Sequence, residues 1–414
     1  MISPPEPDLT PELLIERARA LRPLLRGQQD ANDGRGIYSV EIHKRLLEEG
    51  FYRILQPRAL GGYEFELETF AHCIMEISRG HPATAWGWAL AAHSYVVAMH
   101  WPQEVQAELF GTNGDVRAAC VLGPTGKLVP EENGYRLSGQ WGFCSGIPIS
   151  NYFIGNAALE RDGAVVSTAL FVVPRDKVEI LPDWNGELAM GMQASGSNSV
   201  RISELFVPAR HVVTEPIGRL MMTPPESGTI GSRLYGNPLY VLPFQGWFHT
   251  QFAAILSGAA RAAIDEYELV MRSKPMTFDR TQMRMHDPNN QRVMGEAMDL
   301  ADAAEMLTLS VARYQSELCR RWARCGTPIT WRDSISVSGI AGRACAMAST
   351  AVELLFKSTG SGIARSGNRL QRYFRDVQMY WAHLQSGAIW PTLRAAEHLG
   401  AKLPPGPAPG QVIA

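Results

Sequence analysis

Ser199-Val-Arg-Ile-Ser-Glu-Leu-Phe-Val-Pro208 is rich in β-branched and aromatic residues and stops at a proline, which is how a short strand reads. Two runs of the same kind precede it, Tyr152-Phe-Ile-Gly-Asn-Ala-Ala158 and Ala169-Leu-Phe-Val-Val-Pro174. Turn signals separate them: Glu132-Asn-Gly134, Arg161-Asp-Gly163 and Trp184-Asn-Gly186. The zone from about Val116 to Thr223 therefore predicts an antiparallel β domain, a small barrel or sandwich.

On either side of that zone the period is helical. Thr10 offers an N-cap and Pro11 a first helical position before Glu12-Leu-Leu-Ile15. Ser39–Leu47 and Phe65–Ser78 repeat apolar residues every three or four positions, with a break at Leu60-Gly-Gly-Tyr63. Pro82–His100 reads as one long helix rich in alanine and tryptophan. After a loop-like stretch at 224–238, long helices are expected at Gly246–Arg272, Asn290–Ala323, Trp331–Ser358 and Arg372–Leu399. Four such helices with apolar stripes make an antiparallel bundle. The tail, Pro404-Pro-Gly-Pro-Ala-Pro-Gly410, cannot continue a helix and is expected as an arm on a neighbouring subunit or a disordered end. The expected fold is α+β, with an N-terminal helical domain at 1–115, a middle antiparallel β-barrel domain at 116–223 and a C-terminal four-helix bundle at 224–414.

Composition removes several function classes. Of 414 residues, 45% are hydrophobic and 19% charged, as in a soluble globular protein. Lysine and arginine total 39 against 41 acidic residues, so the basic excess of a nucleic-acid binder is missing. The start, MISPPEPDLT, has neither the basic nor the apolar segment of a secretory signal, and no uninterrupted apolar run of about 18 residues predicts a membrane span. A cytoplasmic protein is expected. Six scattered cysteines without a CxxC pair read as reduced thiols. His72, His81, His93 and His100 do not repeat one helical face, and no HExxH accompanies them, so no metal is expected. Helix–strand alternation, GxGxxG and a Walker loop are all missing; Gly123-Pro-Thr-Gly-Lys127 is too short for the last.

Five stretches, in order, resemble the acyl-CoA dehydrogenase superfamily over nearly the whole chain. The first three are Leu46-Leu-Glu-Glu-Gly-Phe-Tyr-Arg-Ile-Leu-Gln-Pro-Arg-Ala-Leu-Gly-Gly62, Tyr135-Arg-Leu-Ser-Gly-Gln-Trp-Gly-Phe-Cys-Ser-Gly146, and Gly191-Met-Gln-Ala-Ser-Gly-Ser-Asn-Ser-Val200 with Leu205-Phe-Val-Pro208. In the bundle, Leu256-Ser-Gly-Ala-Ala-Arg-Ala-Ala263 and Leu370-Gln-Arg-Tyr-Phe-Arg-Asp376 follow. Lining up Arg375-Asp376 puts Leu384 where a dehydrogenase commonly keeps its catalytic glutamate. Some relatives take that glutamate from an earlier helix, where this chain has Glu266 and Glu268. His383 beside Leu384, with the Trp-Gly-Phe-Cys-Ser-Gly spacing, is more similar to the flavin-dependent monooxygenases of this fold, of the p-hydroxyphenylacetate hydroxylase type.

That resemblance implies the oxygenase component of a two-component system. It would take reduced FMN or FAD from a separate reductase, react with O2 through a C4a-hydroperoxyflavin, and hydroxylate a phenolic or indole-like aromatic. His383 would hold or protonate the peroxide and help deprotonate the substrate, and Ser145 would bond the flavin N5. Trp141 and Trp86 would shield the isoalloxazine, and Ser195 and Ser197 would contact it. His93 would meet the substrate hydroxyl, with Tyr240 and Phe244 lining the same pocket. Arg272 would reach a flavin phosphate, often on the adjacent subunit, and a homotetramer is implied. Read from the residues alone, Trp141 serves equally as core, Ser145 as a turn residue, and His383 and His93 as satisfied buried histidines. An acyl-CoA dehydrogenase with bound FAD, an N- or S-oxygenase, and a non-enzymatic scaffold remain competing readings.

Overall fold

The computed structural model describes residues 2–401 except 216, 384, 385, 387 and 388. The expected positions Leu384 and Pro404–Gly410 lie outside the described residues. Capping residues set the first helices as the sequence suggests: Thr10 accepts from the Leu13 N–H at 3.2 Å, and Ser39 from the Ile42 N–H at 3.2 Å. The N-terminal helices are α1 (Pro11–Ala20), α2 (Arg22–Gly27), α3 (Gln29–Arg35), α4 (Val40–Glu48), α5 (Leu67–Gly80), α6 (Pro82–Ala89), α7 (Ser94–His100) and α8 (Gln103–Phe110).

The long helix expected over Pro82–His100 is thus two helices, α6 and α7. The Ala91 carbonyl leaves the helical ladder and accepts the Ala118 N–H at 2.9 Å, so the start of the sheet holds the break open. His93 is not on a helix body; it sits in that break, at φ −98° and ψ 23°, immediately before α7.

The strands are β1 (Ala118–Glu131), β2 (Gly134–Trp141), β3 (Tyr152–Arg161), β4 (Ala164–Pro174), β5 (Glu179–Ile180), β6 (Val200–Pro208) and β7 (Val212–Val213). They form one seven-stranded sheet in the order β5-β6-β2-β1-β3-β4-β7. The expectation of a purely antiparallel domain is corrected at one pair, because β1 and β3 run parallel. After β2 the chain passes over β1 through residues 142–151 and enters β3 in the opposite direction to β2; since β1 is itself antiparallel to β2, β3 runs parallel to β1. That crossover carries Ser145. The β3–β4 hairpin turns on Asp162 (φ 52°) and Gly163 (φ 77°), the paired positive angles of a type I′ turn.

Beyond the sheet, α9 (Ile217–Met222) and α10 (Ile230–Tyr235) lead into α11 (Phe244–Ser273), α12 (Pro288–Cys325), α13 (Trp331–Thr359), α14 (Arg369–Trp381) and α15 (Ile389–Leu399). The fourth expected bundle helix, Arg372–Leu399, is broken: α14 ends at Trp381, and His383 lies in the exit, its N–H on the Tyr380 carbonyl at 2.9 Å. Helix α11 is buried over most of its length and packs against α5, α12 and α13, so the N-terminal helices and the bundle share one apolar core. By length and composition α13 is apolar enough to cross a membrane; 56% of its most apolar window is buried inside the protein. The sheet has a second core of its own, around Trp141, Phe153 and Phe171.

Candidate active site

Four parts of the fold meet at the exit of α14. Trp86 comes from α6, Ser145 from the crossover, Ser195 and Ser197 from the loop before β6, and Phe252 from α11. The Trp86 and Phe252 rings stack 4.9 Å apart at 14°. His383 stands edge-on to both, 5.8 Å from Trp86 and 4.9 Å from Phe252 between ring centroids.

Trp86 also donates its indole N–H to Ser145 Oγ at 3.0 Å. Ser145 bonds Ser197 at 2.8 Å, and Ser197 bonds Ser195 at 2.6 Å. Three hydroxyls making two mutual bonds leave one O–H to donate beyond the row. Glycines allow the backbones beneath to touch. Gly146 (φ 76°) donates to the Ser195 carbonyl at 2.9 Å, and a Cβ there would lie 2.4 Å from the Gly87 carbonyl oxygen.

Phe244, Phe248 and Phe252 recur at four-residue intervals on α11, which puts them on one face. Each meets a different imidazole: Phe244 faces His100 at 4.8 Å, Phe248 faces His93 at 5.5 Å, and Phe252 faces His383. His93 is fully buried, and its Nδ1 bonds the Ala118 carbonyl at 3.1 Å. A carbonyl only accepts, so Nδ1 carries the proton and Nε2 is an acceptor. Among the described residues, that Nε2 has no hydrogen-bond partner. Burial pushes the His93 imidazole down to about 4, against which its backbone hydrogen bonds act weakly. Burial alone takes His383 down to about 4 as well. His383 is therefore a neutral imidazole near neutral pH, suited to accept a proton.

Other expected residues lie elsewhere. Trp141 is enclosed in the core of the sheet, edge-on to Phe153 and Phe171 at 5.7 and 5.3 Å, its N–H on the Asn156 carbonyl at 2.8 Å. Gly126 is needed to admit it, since a Cβ there would lie 2.2 Å from the indole. It does not wall the Trp86 site. Tyr240 gives its hydroxyl to the Leu55 carbonyl at 3.0 Å and lines a small cavity with Glu64 and Tyr95. Arg272 pairs with Glu268 at 2.7 Å near the end of α11, about 30 Å along the helix from Phe252 at 1.5 Å per residue. Glu266 pairs with Arg369 at 3.4 Å, about 21 Å along α11 from Phe252, so neither glutamate of that segment reaches His383. Phe248 and Phe252 were missed by sequence reasoning; their four-residue spacing from Phe244 was the available signal.

The stacked indole and phenyl, the row of hydroxyls with a spare donor and the glycine-lined backbone junction fit a planar heteroaromatic with a polar edge, as a flavin is. The fold is similar to that of acyl-CoA dehydrogenase-like flavoproteins. Residues 250–386 match the family described as acyl-CoA dehydrogenase, C-terminal domain, and the bundle carries that domain. Over most of its length the chain is related to oxygenase components of flavin-dependent monooxygenases. It is 26% identical over 382 residues to the p-hydroxyphenylacetate 3-hydroxylase oxygenase component of Acinetobacter baumannii, covering 91% of this chain and 86% of that protein. It is 28% identical over 350 residues to the FADH(2)-dependent resorcinol hydroxylase oxygenase component of Rhizobium sp. (strain MTP-10005), covering 81% of each. In fold it is similar to XiaF from Streptomyces sp. in complex with FADH2 and glycerol, with TM-score 0.85, 21% identity and coverage of 95% of this chain and 96% of that one.

Proposed function

We propose that this chain is the oxygenase component of a two-component flavin-dependent monooxygenase that hydroxylates a phenolic or indole-like aromatic. The observation that carries this reading is the fully buried His93 Nε2, an acceptor with no partner among the described residues, packed like His383 against the aromatic face of α11. An acceptor buried without a partner costs about 1–3 kcal/mol, which a substrate O–H or N–H would recover on binding. Reduced FMN or FAD, supplied by a separate reductase, brings the electrons that activate O2.

The protein's own side chains do the rest. Trp86 and Phe252 form flat apolar walls that keep water from the site. Ser145, with Ser197 and Ser195 behind it, offers a hydroxyl to the polar edge of the flavin. His93 orients the substrate through its hydroxyl, and neutral His383 takes a proton as the aromatic ring reacts. Hydroxylation at carbon is favoured over N- or S-oxygenation because an acceptor is placed for a ring O–H or N–H. Arg272, too far along α11 to serve its own His383 site, would serve a neighbouring copy in a homotetramer. A cytoplasmic setting is part of this reading, since the six cysteines are free thiols, as a reducing compartment keeps them.

The test supplies purified protein with FMNH2 or FADH2 from an independent reductase, screens phenols and indoles, and follows coupled product by mass. Hydroxylated product from protein that is colourless as purified is expected. Tightly held yellow FAD reduced by an acyl-CoA would overturn the reading.

A further inference from the structure

Asp376 is an acid that the site as described does not use. It is fully buried on α14, seven residues before His383. Its Oδ1 accepts the Met192 N–H at 2.6 Å, while its Oδ2 has no partner among the described residues. A buried carboxyl with one oxygen unmatched is costly, and an α-helix does not need one at that position. Its partner is strained too: Met192 sits at φ 52°, a left-handed conformation unfavourable for any residue but glycine. Beside it Gly191 touches α14 directly, since a Cβ there would lie 2.4 Å from the Arg375 carbonyl oxygen. Arg375 donates to the Met190 carbonyl.

These contacts close a ring through the site. The start of α14 is held by Arg372, whose guanidinium bonds Asp33 at 2.7 Å and Gln29 at 3.0 Å, and by Tyr373, whose hydroxyl meets Gln29 at 3.0 Å. Its middle is held by Asp376 to the segment that continues into Ser195 and Ser197. Those serines bond Ser145, Ser145 bonds Trp86, and Trp86 packs on His383 at the far end of α14.

We propose that Asp376 is a positioning residue that, by clasping Met192, sets the serine row against His383 and so sets the seat of the flavin ring. This rests on the functional reading above. The groups facing Asp376 are the Met192 N–H from the serine segment, Asp33 on α3, His81 between α5 and α6 with its Nε2 3.3 Å from Asp33, and Arg372 and Arg375 on its own helix. Burial first, and then the Asp33 charge, push the Asp376 carboxyl up to about 6, while His81, the Met192 N–H and Arg375 oppose that rise. Above that pH the carboxylate grips Met192 with a charge-assisted bond; below it the neutral acid grips less well. Product formed per reduced flavin oxidised therefore falls as pH drops through about 6, where His383 is still neutral.

Two readouts test this in the full-length protein. Hydrogen exchange across 190–198, measured without flavin, reads the clasp itself. Product per flavin oxidised, from pH 5 to 8 with FADH2 or FMNH2, reads its effect. Asp376→Ala is expected to speed exchange in 190–198 and to lower coupling by up to roughly 10²-fold, as displacements of about an ångström can. Asp376→Asn keeps an acceptor oxygen and the fold but loses the inflection near pH 6, whereas His81→Gln keeps that inflection. Unchanged exchange in Asp376→Ala, faster exchange with unchanged coupling, or an inflection that survives in Asp376→Asn each overturns the proposal. Wild-type protein that gives no hydroxylated product and leaves the rate at which free FMNH2 or FADH2 reacts with O2 unchanged sinks the functional reading instead, and the exchange measurement still decides the clasp.

Discussion

Burial gives His383 its chemistry at the scale of the single residue. Held at about 4 by burial, edge-on to the stacked Trp86 and Phe252 rings, its imidazole is neutral at working pH and ready to accept a proton. Replacing it, His383→Ala, is expected to leave reduced-flavin binding intact and to cut hydroxylated product per flavin oxidised by roughly 10²-fold or more. Titrating flavin against the variant and assaying peroxide release checks both halves. Trp141 makes the opposite prediction, because it fills the sheet core and not the flavin seat. Trp141→Phe loses the N–H bond to Asn156 and some packing, so a urea melt should report a loss of about 1–3 kcal/mol. Coupling should be unchanged; a fall in coupling without a fall in stability would return Trp141 to the site. The residue type of Trp141 was legible, but its side of the strand was not, since nothing local says which face of β2 meets Phe171.

At the scale of elements, close backbone approach governs the site. Gly87 lies in helix α6, where alanine would ordinarily stabilise by about 1 kcal/mol. Here a Cβ would stand 2.6 Å from the Ser195 carbonyl oxygen, an atom that cannot step aside without moving the serine row. Gly87→Ala is therefore expected to destabilise, by about 1–3 kcal/mol, and to weaken flavin binding. A gain in melting temperature would refute the close approach. Helix existence was readable from periodicity, whereas the breaks at residues 90–93 and after Trp381 were not. Both depend on partners distant in sequence: the first on the Ala118 N–H, the second on packing at Trp86 and Phe252. They are also where His93 and His383 stand, so the two histidines expected on helix bodies occupy helix ends instead.

For the whole molecule, buried histidines set the acid limit. Burial lowers His43, His93 and His383 to about 4 and His100 to about 3; at His43 the Arg117 charge adds to it. The unfolded chain binds those protons near pH 6.5, so between about 6.5 and 4 it holds more protons than the native state and stability falls as pH falls. Asp376, raised to about 6, acts with the opposite sign, losing its contribution as pH rises from its unfolded value through about 6. The lowered histidines, His72 among them, outnumber the raised carboxyls Asp376 and Glu64 among the described residues, so urea midpoints should drop between pH 6.5 and 4.5, and His100→Phe should flatten that slope. A midpoint unchanged over that range would contradict the burial assigned to these rings. By itself, the sequence determined the α+β class, the central strand zone, the helical bundle and the family resemblance, because hydrophobic period and turn chemistry act over a few residues. Only the tertiary structure decided that Trp141 belongs to the core, that Phe248 and Phe252 belong to the site, that His383 is neutral, and that Asp376 ties α14 to the serine row. Those outcomes depend on desolvation and on contacts between segments far apart in the chain, which no local pattern encodes.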